Sequence, residues 1–241
     1  MTRYVALLLA ALAVAGCAAG SPPSVDDLLR GGGLSPGAPL TEARIAQGLK
    51  DALRVGTETA VGVTGRRDGY FGNARIRIPM PPELETLERT LRRVGLGAEV
   101  DRFVLGMNRA AEQAAPRAKR IFWDAIAQMT IADARRILNG PDTAATDYFR
   151  ARTTAPLTAA FRPIVGRALD EVGVTRQYRA LVARYNRIPL ARPQAVDLDD
   201  YVTARALSGL FLVLGEEEKR IRTDPAARTT EILRDVFGRR S

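Results

Sequence analysis

The chain has 241 residues, enough for one domain with a substantial buried core, and its 46% hydrophobic content is typical of a globular protein. It contains no histidine, which excludes Ser-His-Asp and Cys-His catalytic arrangements, and its single cysteine excludes an intrachain disulfide. The formal net charge is +9, carried mostly by arginine, whose guanidinium groups bind phosphates and carboxylates. We favour the simpler interpretation that arginine is the habitual basic residue of the source genome.

The N-terminus has the pattern of a bacterial lipoprotein signal peptide. Arg3 supplies a positive charge, Tyr4 to Ala15 form an apolar run too short to span a bilayer comfortably, and small residues precede Cys17. This resembles a lipobox, in which the cysteine becomes the first mature residue and is lipidated. The resemblance implies a signal peptide at residues 1–16 and a membrane anchor on Cys17 with more than one acyl chain. An ordinary cleaved signal peptide is the alternative.

The residues after the cysteine bear on localisation. In Gram-negative lipoproteins an aspartate there tends to retain the protein in the inner membrane, whereas this chain has Ala18 and Ala19. The resemblance therefore implies a lipid-anchored protein of the bacterial cell envelope, on the periplasmic face of the outer membrane. Because the export signal removes the protein from the cytoplasm, we expect no nucleic-acid partner. Residues 17–39 are rich in Gly, Pro and Ala and predict a flexible tether before a helical domain at residues 40–241.

Most apolar stripes of this domain have the helical period. Helices are predicted from Thr41 to Gly56, from Pro81 to Gly95, from about Ala98 to Ala115, along a stripe that begins at Ala118, in a short helix capped by Thr130 and Asp133, along the stripes up to Leu169, and from Thr175 to Arg187. Residues 61–80 differ, because period-two alternation lies on both sides of a glycine-rich loop. This pattern predicts a small β-hairpin near residues 61–80.

The C-terminal part of the chain predicts the centre of the fold. Asp197 and Asp200 have the spacing of a helix N-cap with an acid in the first turn. The following helix is apolar on every side between Leu210 and Leu214, and such a helix has to be surrounded by other elements. We therefore predict a mainly α, single-domain multi-helix bundle around a buried C-terminal helix. Asp224 and Pro225 predict the start of one more helix.

Two groups of charged residues are candidate sites. The first is a polar cluster at the end of the central helix, which would be either a carboxylate-arginine ligand site or an ordinary surface ion-pair network. We favour the ion-pair network. Its residues are Glu216, Glu217, Arg220, Asp224 and Arg228.

The second group is a basic face on the predicted helix from Thr175 to Arg187, opposite an apolar face that carries Tyr178 and Val182. Such a face either binds an anionic surface or is simply solvated while the apolar face packs in the core. We favour the simple packing. The candidate anion-facing residues are Arg176, Arg179, Arg184 and Arg187.

The order of motifs resembles a bacterial lipoprotein family catalogued as domain of unknown function 4197. The resemblance covers nearly all of residues 40–238 and implies no activity. The matching landmarks are Asn108 to Glu112, Met129-Thr130 with Asp133-Ala134, Ile137 to Gly140, Ala144 to Thr146 with Tyr148-Phe149, Tyr201 to Thr203, Gly209 to Phe211, Glu216 to Glu218, and Asp224 to Thr230.

Three functions are compatible with the sequence. The first is a non-enzymatic envelope lipoprotein that binds an anionic lipid, lipopolysaccharide, a cell-wall polymer or an envelope protein. The second is a histidine-independent hydrolase that uses carboxylates and arginines, and the third is a carrier of an apolar ligand between helices. We favour the first, with no cofactor, no metal site and no catalytic residue assigned.

Overall fold

The computed structural model describes residues 41–171, 173–185 and 196–224, and these are mainly helical. The chain divides between Leu40 and Thr41, so every described residue belongs to the second part. The predicted signal peptide, the predicted tether and the predicted helix after Asp224 lie outside the described residues. The helices are α1 (Glu42–Gly65), α2 (Glu85–Arg93), α3 (Gly97–Ala114), α4 (Ala118–Ala127), α5 (Ile131–Asn139), α6 (Ala144–Glu171), α7 (Val174–Tyr185) and α8 (Leu198–Thr223).

Helix α8 lies at the centre of this bundle, as predicted. The Asp197 side chain caps its first turn by accepting a hydrogen bond from the Asp200 N–H. Its residues Val202, Leu210 and Phe211 are buried, and the helix packs mainly on α6 and α1, with α3 as a further neighbour. Leu212 is 38% exposed, so one line of the helix reaches the surface. The mainly α, single-domain fold is confirmed.

Three phenylalanines join the helices around α8. Phe122 on α4 packs edge-on against Phe149 on α6, with ring centroids 5.2 Å apart, and against Phe211 on α8 at 6.1 Å. All three side chains are at most 2% exposed. Edge-to-face contacts of this kind stabilise a core beyond simple burial by about 0.5–1.5 kcal/mol. The three rings therefore fix the positions of α4 and α6 relative to the central helix.

The predicted β-hairpin at residues 61–80 is absent, because these residues contain no strand. Val61 and Val63 belong to α1, which begins after the capping residue Thr41 and continues to Gly65. Within this last part of the helix the Thr64 hydroxyl donates to the Ala60 carbonyl oxygen at 2.8 Å. A β-branched run is tolerated here because its side chains face buried neighbours, so tertiary packing overrides the weak local propensity.

No helix in residues 41–171, 173–185 and 196–224 is both long and apolar enough to span a bilayer.

Candidate functional site

A long irregular segment, which we call the arginine loop, connects α1 to a short 3-10 turn at Pro82–Leu84. It comprises residues 66–81 and contains four arginines. Structureless connections of this length are uncommon in compact domains, and they usually have a function. Its conformation is therefore the first place to look for a site.

Tight turns shape the first half of the loop. The Gly69 N–H donates to the Arg66 carbonyl oxygen at 2.9 Å, and the Gly72 N–H donates to the Asp68 carbonyl oxygen at 3.0 Å. Asp68 has a φ of 62°, a left-handed conformation that non-glycine residues rarely adopt. A Cβ atom at Gly69 would lie 2.4 Å from the Val63 carbonyl oxygen, so only glycine fits there. These features define one specific backbone path.

Glu112 on α3 fixes this backbone path through hydrogen bonds to its carboxylate. One of its carboxylate oxygens accepts hydrogen bonds from the N–H groups of Tyr70 and Phe71, both at 3.1 Å. The other accepts from the Arg109 guanidinium at 2.6 Å, and Arg109 also reaches Asp68 at 2.8 Å. Glu112 is only 4% exposed, so its charge needs these partners. The carboxylate thus replaces the backbone acceptors that a helix or sheet would have provided.

Asn108, one helical turn earlier on α3, holds the second half of the loop. Its side-chain oxygen accepts from the Ile78 N–H at 2.9 Å, and its side-chain nitrogen donates to the Ile78 carbonyl oxygen at 2.8 Å. The same nitrogen donates to the Val104 carbonyl oxygen at 2.8 Å. The amide therefore pairs with both backbone groups of one residue, as a neighbouring strand would. The residues just before Ile78 form a turn, in which the N–H groups of Ile76 and Arg77 donate to the Asn73 carbonyl oxygen at 3.1 and 2.8 Å.

Tyr70 ties the loop to the central helix. Its hydroxyl donates to the Ala206 carbonyl oxygen at 2.6 Å, and the residue is fully buried. Burial raises the pKa of Tyr70 well above its usual range, so the hydroxyl stays protonated and keeps donating. The ring lies directly against α8, since a Cβ atom at Gly209 would be 2.8 Å from it and 3.0 Å from Ile76. Gly209 is therefore the residue that lets the loop approach α8.

The outer surface of the loop is basic. Arg66, Arg67, Arg75 and Arg77 are exposed, and the half-buried Phe71 lies between them in sequence. The Arg77 guanidinium lies 4.3 Å from the centre of the Phe71 ring, a cation–π distance. Arg75 pairs with Glu216 of α8 at 2.5 Å. Among the described residues, no carboxylate lies within ion-pair distance of the other three arginines, which are Arg66, Arg67 and Arg77.

Comparison with known proteins identifies the family. The model of the family described as "Protein of unknown function (DUF4197)" matches residues 39–238. The chain belongs to this family. The predicted resemblance to domain of unknown function 4197 is thereby confirmed, and the family description names no activity. No curated protein and no solved structure gives a significant match.

The landmark of this DUF4197 chain at Asn108 to Glu112 has a clear structural role, because three of its residues hold the arginine loop. A second landmark, Thr130 with Asp133, forms the predicted capping box at the start of α5. The hydroxyl and the N–H of Thr130 both donate to the Asp133 carboxylate. These hydrogen bonds, the one from the hydroxyl above all, lower the pKa of Asp133 below its usual value. This second landmark therefore also has a structural explanation.

The predicted polar cluster at the end of α8 does not converge on one point among the described residues. Glu216 pairs with Arg75 of the loop, whereas Glu217 pairs with Arg220 of its own helix. Asp224 follows the last turn of α8, where its N–H donates to the Arg220 carbonyl oxygen. Arg228 lies outside the described residues. The structure thus assigns one member of the predicted cluster, Glu216, to the arginine loop.

Glu218 is the buried carboxylate of this run. Its two oxygens accept from the N–H groups of Ala145 and Thr146, and from the Thr146 hydroxyl, all at 2.8 Å. Arg222 pairs with it at 2.9 Å, and both side chains are at most 8% exposed. Glu218 therefore neutralises the N-terminus of α6 from a different helix. The i, i+4 spacing of Glu218 and Arg222 on one helix is the local sequence signal of this pair.

A small cavity lies beside Glu218, between α1, α6 and α8. Its volume is about 20 Å³, and its walls include Leu49, Phe149 and Ile221. A space of this size holds about one water molecule, whereas ligand pockets have volumes of roughly 300–1,000 Å³. The cavity therefore gives no support to the carrier hypothesis.

The predicted basic face lies on α7. Arg176 and Arg179 are exposed, and on the same helix the ring of Tyr178 lies 6.1 Å from that of Phe103. The side chain of Arg184 and the whole of Arg187 lie outside the described residues. In the described part of α7, Arg176 and Arg179 lie at the surface, and Tyr178 packs toward the core.

In the described part of the chain, no group of three or more His, Cys, Asp or Glu side chains is placed to hold a metal ion. Larger concave features of the described residues lie at the surface, and one of them is a groove of about 380 Å³ between α5 and α6, with Asp133, Arg136, Tyr148 and Arg152 in its walls. Asp133 is already used by the capping box and by Arg136, at 3.2 Å. Burial, together with the charge of Asp133, raises the pKa of Tyr148. The groove therefore offers fewer unpaired charged groups than the arginine loop.

Proposed function

We propose that this protein is a lipid-anchored cell-envelope protein with a binding role, and that the arginine loop is its binding surface. The observation that carries this proposal is the fixed conformation of the loop. Three buried polar side chains, those of Glu112, Asn108 and Tyr70, hold an irregular backbone in place while its arginines face the solvent. A surface built on a rigid, hydrogen-bonded base is what a binding site needs, because little order has to be gained on binding.

The arrangement favours binding over catalysis. A catalytic site needs polar groups that converge on a substrate. Here both oxygens of Glu112 and both ends of the Asn108 amide already hold backbone groups or Arg109. The groups that remain available are guanidinium forks, which recognise carboxylates and phosphates by paired hydrogen bonds.

The proposed location rests on the N-terminal sequence. Lipidation of Cys17 after removal of residues 1–16 would anchor the chain, and residues 17–39 would connect it to the helical domain. The absence of aspartate after Cys17 supports sorting to the outer membrane, with the domain in the periplasm.

Replacement of Cys17 by serine tests the anchor. Cys17→Ser should accumulate as an unprocessed precursor, because the thiol is the attachment point of the lipid. Gel mobility, metabolic labelling with a fatty acid and separation of the inner and outer membranes measure this directly. Normal processing of the variant would contradict lipidation of Cys17. A mature wild-type chain that carries no labelled fatty acid would contradict it as well.

A photo-crosslinking residue in the loop tests the binding surface. Ala74 is exposed in the loop, and Ala98 is exposed at the start of α3, about 15–20 Å along that helix from the residues that hold the loop. Illumination of cells should give covalent adducts with an envelope component from position 74 and not from position 98. Equal yields at the two positions, or none at either, would contradict the assignment of the loop.

A further inference from the structure

Resting on the proposed function, we infer that the arginine loop binds a polyanionic polymer of the cell wall, with carboxylates or phosphates repeated along its length. The alternative partner of similar charge is the surface of the anchoring membrane. The distribution of charge in the loop and its position at one end of α1 favour the polymer.

The charge of the loop is only partly neutralised by the protein itself. Three carboxylates lie in ion pairs here, and their partners are Arg109 and Arg75. Arg66, Arg67 and Arg77 remain exposed with no carboxylate within ion-pair distance in the described chain. Three guanidinium groups on one ordered segment are therefore available to the negative groups of a ligand.

A single small anion would be held weakly at such a surface. Each exposed ion pair contributes little, because water and salt screen it. Several such pairs become useful when the anions are linked, since each contact after the first forms within one complex. A chain of repeated anionic groups satisfies this condition, and a monovalent solute does not.

The position of the loop favours the polymer over the bilayer as the binding partner. The described domain is connected to residues 1–40 at Thr41, the N-cap of α1. The loop begins after Gly65, at the other end of this helix of 24 residues, and thus about 36 Å away. A polymer that surrounds the domain is accessible to this end. The polymer meets the loop in any orientation that the flexible tether predicted at residues 17–39 allows, whereas a flat bilayer meets it only in orientations that turn this end of α1 toward the membrane.

The test uses the full-length lipidated protein in lipid nanodiscs and isolated, protein-free cell-wall sacculi. Co-sedimentation is measured for the wild type, for Arg66→Gln/Arg67→Gln/Arg77→Gln, and for a matched control that removes three arginines elsewhere. The control is Arg93→Gln/Arg167→Gln/Arg205→Gln, since these residues are exposed and lie outside the ion pairs of the described residues. Thermal melts establish that both triple variants are folded.

We expect the wild type and the control to bind the sacculi and the loop variant to bind about tenfold more weakly or worse. Binding by the wild type should also weaken as the salt concentration rises. Equal binding by all three proteins, or no binding by the wild type, overturns the inference.

A photo-crosslinking residue at Ala74 in the same nanodiscs, made with anionic lipid, provides the second arm. Adducts with nanodisc lipid that persist when sacculi are present overturn the polymer in favour of the membrane surface. In that case the loop remains a binding surface and the proposed function stands. Adducts with neither material, together with no co-sedimentation, overturn the polymer, and the proposed binding role then depends on the crosslinking from position 74 in cells.

Discussion

Replacing Glu218 with glutamine changes the charge of a buried side chain and leaves its size almost unchanged. The carboxylate accepts two backbone N–H groups at the start of α6, a threonine hydroxyl and the Arg222 guanidinium. A glutamine amide offers one acceptor oxygen and one NH₂ group, so part of this set of donors would face another donor. The variant therefore leaves donors of a buried network without their acceptor.

The expected cost follows from burial. Both members of the Glu218–Arg222 pair are at most 8% exposed, and removing one partner of a buried ion pair costs about 3–5 kcal/mol. Loss of the negative charge at the N-terminus of α6 is part of this cost. For a domain of this size such a loss lowers the melting temperature by roughly 10 °C.

The neighbouring residue is a matched control. Glu217 carries the same carboxylate one position earlier, but its partner Arg220 is 56% exposed, so Glu217→Gln should cost only about 0–1 kcal/mol. Thermal and urea unfolding of the two variants, beside the wild type, measure the difference. A loss below about 1 kcal/mol in Glu218→Gln, or equal losses in both variants, would refute the reasoning from burial.

Three further predictions concern the loop and a helix cap. Gly209→Ala should destabilise the protein by about 1–3 kcal/mol, because its Cβ would be 2.8 Å from the Tyr70 ring. In the control variant Gly62→Ala on α1, the new Cβ meets no atom within 4 Å, so this variant should be more stable by about 0.5–1 kcal/mol. Urea unfolding compares the two variants. Tyr70→Phe should cost about 1 kcal/mol in the same assay and speed hydrogen exchange in the loop, and unchanged exchange would contradict its role as a tie to α8. Hydrogen bonds from the capping threonine lower the pKa of Asp133 in the folded state, so this carboxylate contributes stability above its unfolded pKa of about 4 and loses it as the pH falls through the lower folded value. Asp133→Asn should therefore cost about 1 kcal/mol at pH 7 and progressively less in acid, whereas a pH-independent difference would exclude this linkage.

The helices and their ends were predictable because their signals are local. The Thr130 and Asp133 capping box and the Asp197 cap formed as predicted, since each depends on residues three positions apart. The burial of Leu210 and Phe211 followed from an apolar run that no single helix face could hide. Only the exposed Leu212 departs from that expectation, because α8 is covered on most of its circumference and not on all of it.

The loop was not predictable for the opposite reason. The alternation from Arg75 to Ile78 correctly indicates that alternate side chains are buried, although Arg75 and Ile76 lie in a turn. The hydrogen-bond partner of Ile78, however, is the side chain of Asn108, which lies 30 residues from Ile78 in the sequence. Nothing in a local pattern distinguishes a strand partner from an amide side chain that replaces it. The predicted hairpin was therefore wrong, although the alternation correctly indicated the burial of Ile76 and Ile78.

The arginines in and beside the loop fall into two groups, those that hold its conformation and those that face the solvent. Arg109 is 21% exposed and bridges Glu112 and Asp68, so its loss would disturb the loop itself. Arg66, Arg67 and Arg77 contribute little to the free energy of unfolding, because they are exposed and form no ion pair with a carboxylate among the described residues. Their removal should therefore leave stability almost unchanged and alter binding alone. This separation makes the arginine loop testable, since a loss of binding in a fully folded variant cannot be explained by unfolding.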